Sequence, residues 1–236
     1  MSDVQQIRRG QRGYPRSLSD ILGGKAPGNI YCMGNTDLLQ KPSVGFCGSR
    51  RASEQGLAVA NDCASQAAEL GLNVVSGNAA GVDEVAHYMA LASGGTTILV
   101  LPEGINNFRI RKSFSSVWDW NRVLVVSQFE PSSVWQAYRA MERNKVIIGL
   151  SGAMIVIEAG EKGGTLDAGN ATLSMGVPLF VAHYDSLSAD AKGNAILINK
   201  GGIPLNKLRS TERANMNKVK DSLYKRFINE INPKLI

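Results

Sequence analysis

From Val44 to about residue 200 the chain repeats one pattern, a short run of apolar residues followed by a helix-length stretch whose apolar residues share a side. The runs are Val44–Cys47, Asn73–Ser76, Thr97–Leu101, Val123–Ser127, Ala153–Glu158, Pro178–Ala182 and Ala195–Ile198. Most are apolar throughout and do not alternate, which is how strands covered on both faces read in a parallel sheet. Helical periodicity fills Glu54–Leu70, Val82–Ser93, Ser133–Leu150 and Thr165–Met175. In the first of these, Leu57, Ala60, Ala64, Ala67 and Ala68 give a small-residue face that can press closely on a sheet. The fold class that follows is α/β, a doubly wound, mostly parallel, Rossmann-like sheet with right-handed crossovers.

The flanks read differently. Residues 1–43 hold Arg8, Arg9, Arg12 and Arg16 among frequent Gly and Pro breakers, with one short helix expected at Ser17–Leu22 and a strand at Asn29–Met33. After Gly201-Gly202 and Pro204, the residues Met216, Val219, Leu223, Phe227 and Ile231 mark an amphipathic helix. The expected organisation is therefore an N-terminal extension over 1–43 packing on the core, a Rossmann-like domain over 44–208, and a C-terminal helix within 209–236.

Several function classes are disfavoured at once. No run approaches the roughly 18 apolar residues that cross a bilayer, and the N-terminus lacks the order of a secretion signal, so a cytoplasmic protein with no membrane partner is expected. Cys32, Cys47 and Cys63 have no paired spacing, and with only His87 and His183 beside them neither a disulfide frame nor a metal site is indicated. The net charge of +6 and pI near 9.3 suit a polyanionic partner.

In an open α/β sheet ligands bind at the carboxyl ends of strands, so the residues that interrupt the apolar pattern there are the informative ones. Gly48-Ser49-Arg50, with Arg51, follows the Val44 run, where bare backbone and a helix N-terminus favour phosphate. Ser76-Gly77 through Gly81-Val82-Asp83 supplies a neighbouring small-residue wall, with Asp83 a candidate helix cap. Arg109, Arg111 and Lys112, interleaved with Phe108, form a candidate backbone grip and stacking platform for a single strand. Arg143-Asn144-Lys145 sits in the long helix, where the spacing from Ala137 and Met141 places Asn144 and Lys145 on its apolar face, a costly location without a ligand. Glu158 is followed by Gly163, Gly164 and Thr165, a second anion cradle of the same kind, with Thr165 placed to cap the next helix.

Taken in order and spacing, Tyr14-Pro15, Tyr31-Cys-Met-Gly34, Gly48-Ser-Arg50, Val75-Ser-Gly77, Gly81-Val-Asp83, Ala86-His87, Arg143-Asn-Lys-Val-Ile-Ile-Gly-Leu-Ser151, Val156-Ile-Glu-Ala159 and Gly163-Gly-Thr-Leu166 resemble the DNA-processing protein A (DprA/Smf) family over about residues 14–205. The chain departs from that family where Gly104 leads into Asn106-Asn-Phe-Arg-Ile-Arg111 and where Ala140-Met141 precedes Arg143. The resemblance implies a non-enzymatic, cofactor-free protein that binds single-stranded DNA, forms a homodimer and helps to load a RecA-type recombinase in DNA uptake and recombination. It implies that Arg50 and Lys145 hold DNA phosphate in one cleft, with Asn144 beside them and Gly48, Ser49 and Gly163 as backbone contacts. The alternative reading is a nucleotide sensor or a LOG-type nucleotide phosphoribohydrolase, with Glu158 as general base or ribose contact.

Overall fold

The structure is a computed structural model describing residues 3–184 and 191–231, with side chains described as far as Tyr224. In chain order the elements are β1 (Gln5–Arg8), α1 (Arg16–Leu22), β2 (Asn29–Gly34), β3 (Ser43–Cys47), α2 (Glu54–Glu69), β4 (Asn73–Ser76), α3 (Val82–Ala92), β5 (Thr96–Val100), β6 (Val123–Ser127), α4 (Ala137–Leu150), β7 (Ala153–Val156), α5 (Gly164–Ser174), β8 (Leu179–Ala182), α6 (Lys192–Asn199), β9 (Ile203–Leu205) and α7 (Asn217–Ile231). The nine described strands form one sheet in the order β1-β2-β6-β5-β4-β3-β7-β8-β9.

The chain enters the parallel part in its middle. It moves outward from β3 through β4, β5 and β6, crosses back through α4 to the other side of β3, and moves outward again through β7, β8 and β9. This reversal beside β3 is the switch point of a doubly wound sheet. The first residues of the chain extend the same sheet, since β2 pairs antiparallel with β6 and β1 antiparallel with β2.

Successive strand residues feed opposite faces. On one side Val44, Phe46, Val74, Ile155 and Phe180 pack under Ala60, Cys63, Ala64 and Ala67 of α2, Ala86 and Ala90 of α3, and Val219 and Leu223 of α7. On the other, Val75, Ile98, Val100, Met154, Val156 and Val181 meet Leu18 of α1, Val146, Ile147 and Leu150 of α4 and Leu197 of α6. Burying one such aliphatic side chain stabilises the fold by about 1.5–3 kcal/mol, so these two layers hold the helices in place, short as several of them are.

Two expectations from sequence are corrected here. Ala195–Ile198 is part of α6, because four apolar residues serve a buried helix as well as a strand, and Asn194 at its start fixes the helix to strand ends. Its amide donates to the carbonyls of Ile157 at 2.7 Å and Ala182 at 2.8 Å, while its oxygen accepts from the Ala159 N–H at 2.8 Å. The helix expected over Ser133–Leu150 begins only at Ala137. In α7, Val219 and Leu223 are buried with Met216 just before it, whereas the side chains of Phe227 and Ile231 lie outside those described.

Candidate nucleic-acid interface

Because β3 hands the chain to α2 on one face and β7 hands it to α5 on the other, the two connections separate and leave a crevice at the carboxyl edge. A cleft of about 500 Å³ opens there, walled by Gly48–Arg51 on one side and by Gly160 and Lys162–Thr165 on the other. Ala140, Met141 and Asn144 of α4 close one end, and Asp83, Arg143 and Glu158 line its depth.

The wall after β3 is braced by the loop after β4. A Cβ on Gly48 would lie 2.5 Å from Val82 Cγ2, and one on Gly81, whose φ is +75°, would run into the Ser49 carbonyl, so only glycine permits this approach. The Val82 N–H donates to that Ser49 carbonyl at 3.3 Å. Asp83 is not an N-cap. It lies in the first turn of α3 and ties down the loop before it, accepting from the Ser76 hydroxyl at 2.9 Å and the Ala79 N–H at 3.2 Å.

Beneath the cleft lies Arg143, only 6% exposed. Its Nη1 donates to the Val100 carbonyl at 2.9 Å, and its buried Nε has no acceptor among the described residues. Gly77 makes room for it, since a Cβ there would strike Nη1 and come within 2.5 Å of Asp83 Oδ2. Burial pulls the Arg143 guanidinium below its ordinary pKa, and the Asp83 carboxylate acts in the opposite sense. A buried guanidinium with a free donor beside an open cleft is an electrostatic floor suited to an anion.

Glu158 closes the far side of that floor at 1% exposure. Its Oε2 accepts from the Ser53 N–H at 2.8 Å and its Oε1 from the Ser53 hydroxyl, while the same hydroxyl accepts from the Gly56 N–H at 3.0 Å and so caps α2. The sequence does not single out Ser53 as a site residue; its signal there is its place as a serine just before a helical run.

The wall after β7 is bare backbone. Gly163 has a φ of +109°, and a Cβ on Gly163 or Gly164 would meet nothing within 4 Å. Among the described residues no side chain caps α5, so the N–H groups of its first turn line the opening, the arrangement that attracts phosphate. Thr165, expected as the cap, sits instead within this first turn. Arg50, Arg51 and Lys162 are exposed at the rim, and among the described residues none of the three is in an ion pair.

The cleft thus gathers Gly48, Ser49, Arg50, Arg143, Asn144, Gly163, Gly164 and Thr165. Gly77, Arg109, Arg111, Lys112 and Lys145 are outside its lining. Phe108 is not a stacking surface: it is buried with Trp118 and Trp120, at ring-centroid distances of 5.7 and 6.5 Å, in a third apolar cluster under the connection from β5 to β6. Arg109 turns onto the carbonyls of Asn106 and Phe108 at 2.8 and 2.6 Å. Arg111 clamps the loop after β4, donating to the Asn78 and Ala79 carbonyls and pairing with Glu84 at 2.9 Å. Lys112 and Lys145 are exposed. The buried residues of α4 are Arg143 and Val146–Leu150, while Met141 and Lys145 are exposed even though Ile148 on the same face is fully buried, so the helix is covered at its C-terminal end and Lys145 is not on a covered part of it as expected.

The model of the DNA recombination-mediator protein A family matches residues 5–213. The chain belongs to that family. A DNA recombination-mediator protein A relative, the DNA processing protein DprA of Streptococcus pneumoniae, is 35% identical over 190 residues, a match covering 80% of this chain and 66% of the relative, just under two thirds of its length. The X-ray structure of DNA processing protein A from Streptococcus pneumoniae superposes with a TM-score of 0.77 at 31% identity, covering 86% of this chain and 71% of that one. The DNA processing protein A of Helicobacter pylori, whose structure concerns its single-stranded DNA binding mode, superposes with a TM-score of 0.75 at 24% identity over 94% of this chain and 99% of that one, a likeness of fold. The family's mostly parallel α/β architecture is therefore the one described above.

Proposed function

We propose that the switch-point cleft holds the phosphates of single-stranded DNA and that the protein acts by capturing the strand, not by chemistry on it. The observation that carries this is the convergence of the bare turn at Gly163–Gly164 with Arg50, Arg51 and Lys162, unpaired among the described residues, over the buried Arg143 guanidinium. Phosphate contacts made by backbone N–H groups and cations are indifferent to base identity, so binding without marked sequence preference follows. Family membership and the shared fold support the same reading. With it go the family's further expectations, a homodimer that passes the strand to a RecA-type recombinase in the cytoplasm, the exposed Lys112 and Lys145 adding charge outside the cleft.

Glu158 supports binding over hydrolysis. Both its oxygens accept from Ser53 and it is almost fully buried, so it is engaged as a strut and not poised as a base over the cleft.

The test is fluorescence anisotropy with a labelled single-stranded oligonucleotide and its duplex at low and moderate salt. Preferential binding of the single strand that falls steeply between about 50 and about 200 mM salt is expected. No binding at low salt, or release of free base from nucleoside monophosphates that Glu158→Gln abolishes, contradicts the proposal.

A further inference from the structure

The approach to α4 carries an apolar patch that phosphate binding does not explain. Val134, Trp135, Tyr138 and Met141 are 65, 52, 55 and 54% exposed, four large side chains on one short stretch. Scattered exposed hydrophobes are ordinary, but such a concentration beside a binding cleft marks a contact surface.

The patch is held in shape. Arg139 Nη1 donates to the Val134 carbonyl at 2.6 Å, and its guanidinium lies 5.1 Å from the Phe129 ring centroid and 5.8 Å from that of Tyr138. Its Nε also donates to the Tyr138 hydroxyl at 3.3 Å, so the arginine touches both rings and leaves a cation among them. The patch is also continuous with the cleft, because Met141 belongs to both. Tyr138, Met141 and Lys145 are spaced by three and four residues and so follow one exposed face of the helix, which ends in a positive charge.

We propose that Trp135 and Tyr138 are the base-stacking platform of the interface, taking the faces of neighbouring bases in a single strand whose phosphates occupy the cleft. The inference rests on the phosphate-binding reading of that cleft. An unpaired strand is the occupant that fits both surfaces, since its backbone suits the bare Gly163–Gly164 turn and the cations while its exposed base faces suit the aromatic rings. In a duplex those faces are hidden by stacking. This puts the stacking surface at the entry to α4, with Trp135 before the helix and Tyr138 in its first turn, and not on the Phe108 loop, whose ring is in the core.

The test compares a labelled oligothymidine with an abasic deoxyribose-phosphate chain of the same length. Trp135→Ala and Tyr138→Ala, at exposed positions, are expected to keep the native Tm and to weaken oligothymidine binding by roughly 5- to 150-fold each. Binding of the abasic chain should be unchanged, Trp135→Phe should restore most of the affinity, and oligothymidine should quench tryptophan emission in the native protein but not in Trp135→Ala. Unchanged oligothymidine binding, an equal loss for both probes, or a change in sedimentation showing that the patch joins two copies of the chain overturns the platform. Arg50→Ala separates the two layers of the argument: it should weaken both probes, and if it weakens neither the phosphate reading itself has failed.

Discussion

The backbone N–H of Ser53 donates to Glu158 Oε2 at 2.8 Å, and the Ser53 hydroxyl reaches the other oxygen of the same carboxylate. One side chain from the end of β7 thereby fixes the start of α2, which belongs to β3, and joins the two sides of the crevice. Glu158→Ala leaves both Ser53 donors without their acceptor and should cost about 1–3 kcal/mol of stability. Glu158→Gln keeps one acceptor oxygen and should cost less. Ser53→Ala also removes the cap of α2, worth about 1 kcal/mol, and the double variant should lose less than the sum because both changes break the same contact. Urea denaturation reads all four, and a fully stable Glu158→Ala protein would show that the strut carries no load.

His87 gives the fold an acid limit. Its Nε2 donates to the Gly77 carbonyl at 2.7 Å and its Nδ1 lies 2.6 Å from the Thr97 hydroxyl, which also reaches the Val74 carbonyl at 2.8 Å. Burial pushes its pKa down from 6.5 to about 4, so the unfolded chain binds a proton that the folded one refuses between those values. Stability from this group is fully present above about pH 6.5 and is lost as pH falls toward 4, on the order of 3 kcal/mol in all. The measurement is stability against pH for the native protein and His87→Gln, with a shallower slope in the variant over that window. Identical slopes would assign the acid loss to other groups.

Phe108 and Trp135 should separate cleanly. Phe108→Ala empties a ring site shared with Trp118 and Trp120 and is expected to cost about 3–5 kcal/mol. Trp135, half exposed, should be replaceable by Ala with a change within about 0.5 kcal/mol. Thermal melts of the two variants decide this, and a Phe108→Ala protein with unchanged stability would contradict the packing described.

Gly77 is the position where the least atom matters. A single methyl group there meets both Arg143 Nη1 and Asp83 Oδ2, and displacing either side chain toward the cleft gives up its hydrogen bond to the Val100 carbonyl or the Ser76 hydroxyl. Gly77→Ala should cost about 1–3 kcal/mol and disturb the floor of the cleft, weakening oligonucleotide binding beyond the loss of folded protein. A variant with native stability and native affinity would show that the floor is softer than its geometry implies.

What could be read from sequence followed from period. Asn73–Ser76 and Val123–Ser127 were legible to the residue because an apolar run bounded by polar residues is the one local signal a buried parallel strand emits. β1 emits none: Gln-Gln-Ile-Arg is polar and exposed, and becomes a strand only because β2 offers it an edge. Ile203-Pro-Leu205 is similarly silent, three residues with a proline at the far side of β8. In the site, Gly48–Arg50 and Gly163–Thr165 were visible because glycines after a strand have few other uses. Which of Arg143 and Lys145 in α4 is buried is not legible, since helical spacing groups residues into faces without saying which part of a face is covered. That is settled by the neighbours, here Leu18 and Val100 from distant segments.

The most direct measurement of the central claim is the salt dependence of single-stranded DNA affinity for the native protein and Arg50→Ala. If Arg50 neutralises a phosphate at the turn after β3, the variant binds more weakly and the slope of log K against log salt becomes shallower by about 0.7, the value for one phosphate contact on a single strand. An Arg50→Ala protein with native affinity and an unchanged slope would contradict the assignment of this cleft to the DNA backbone.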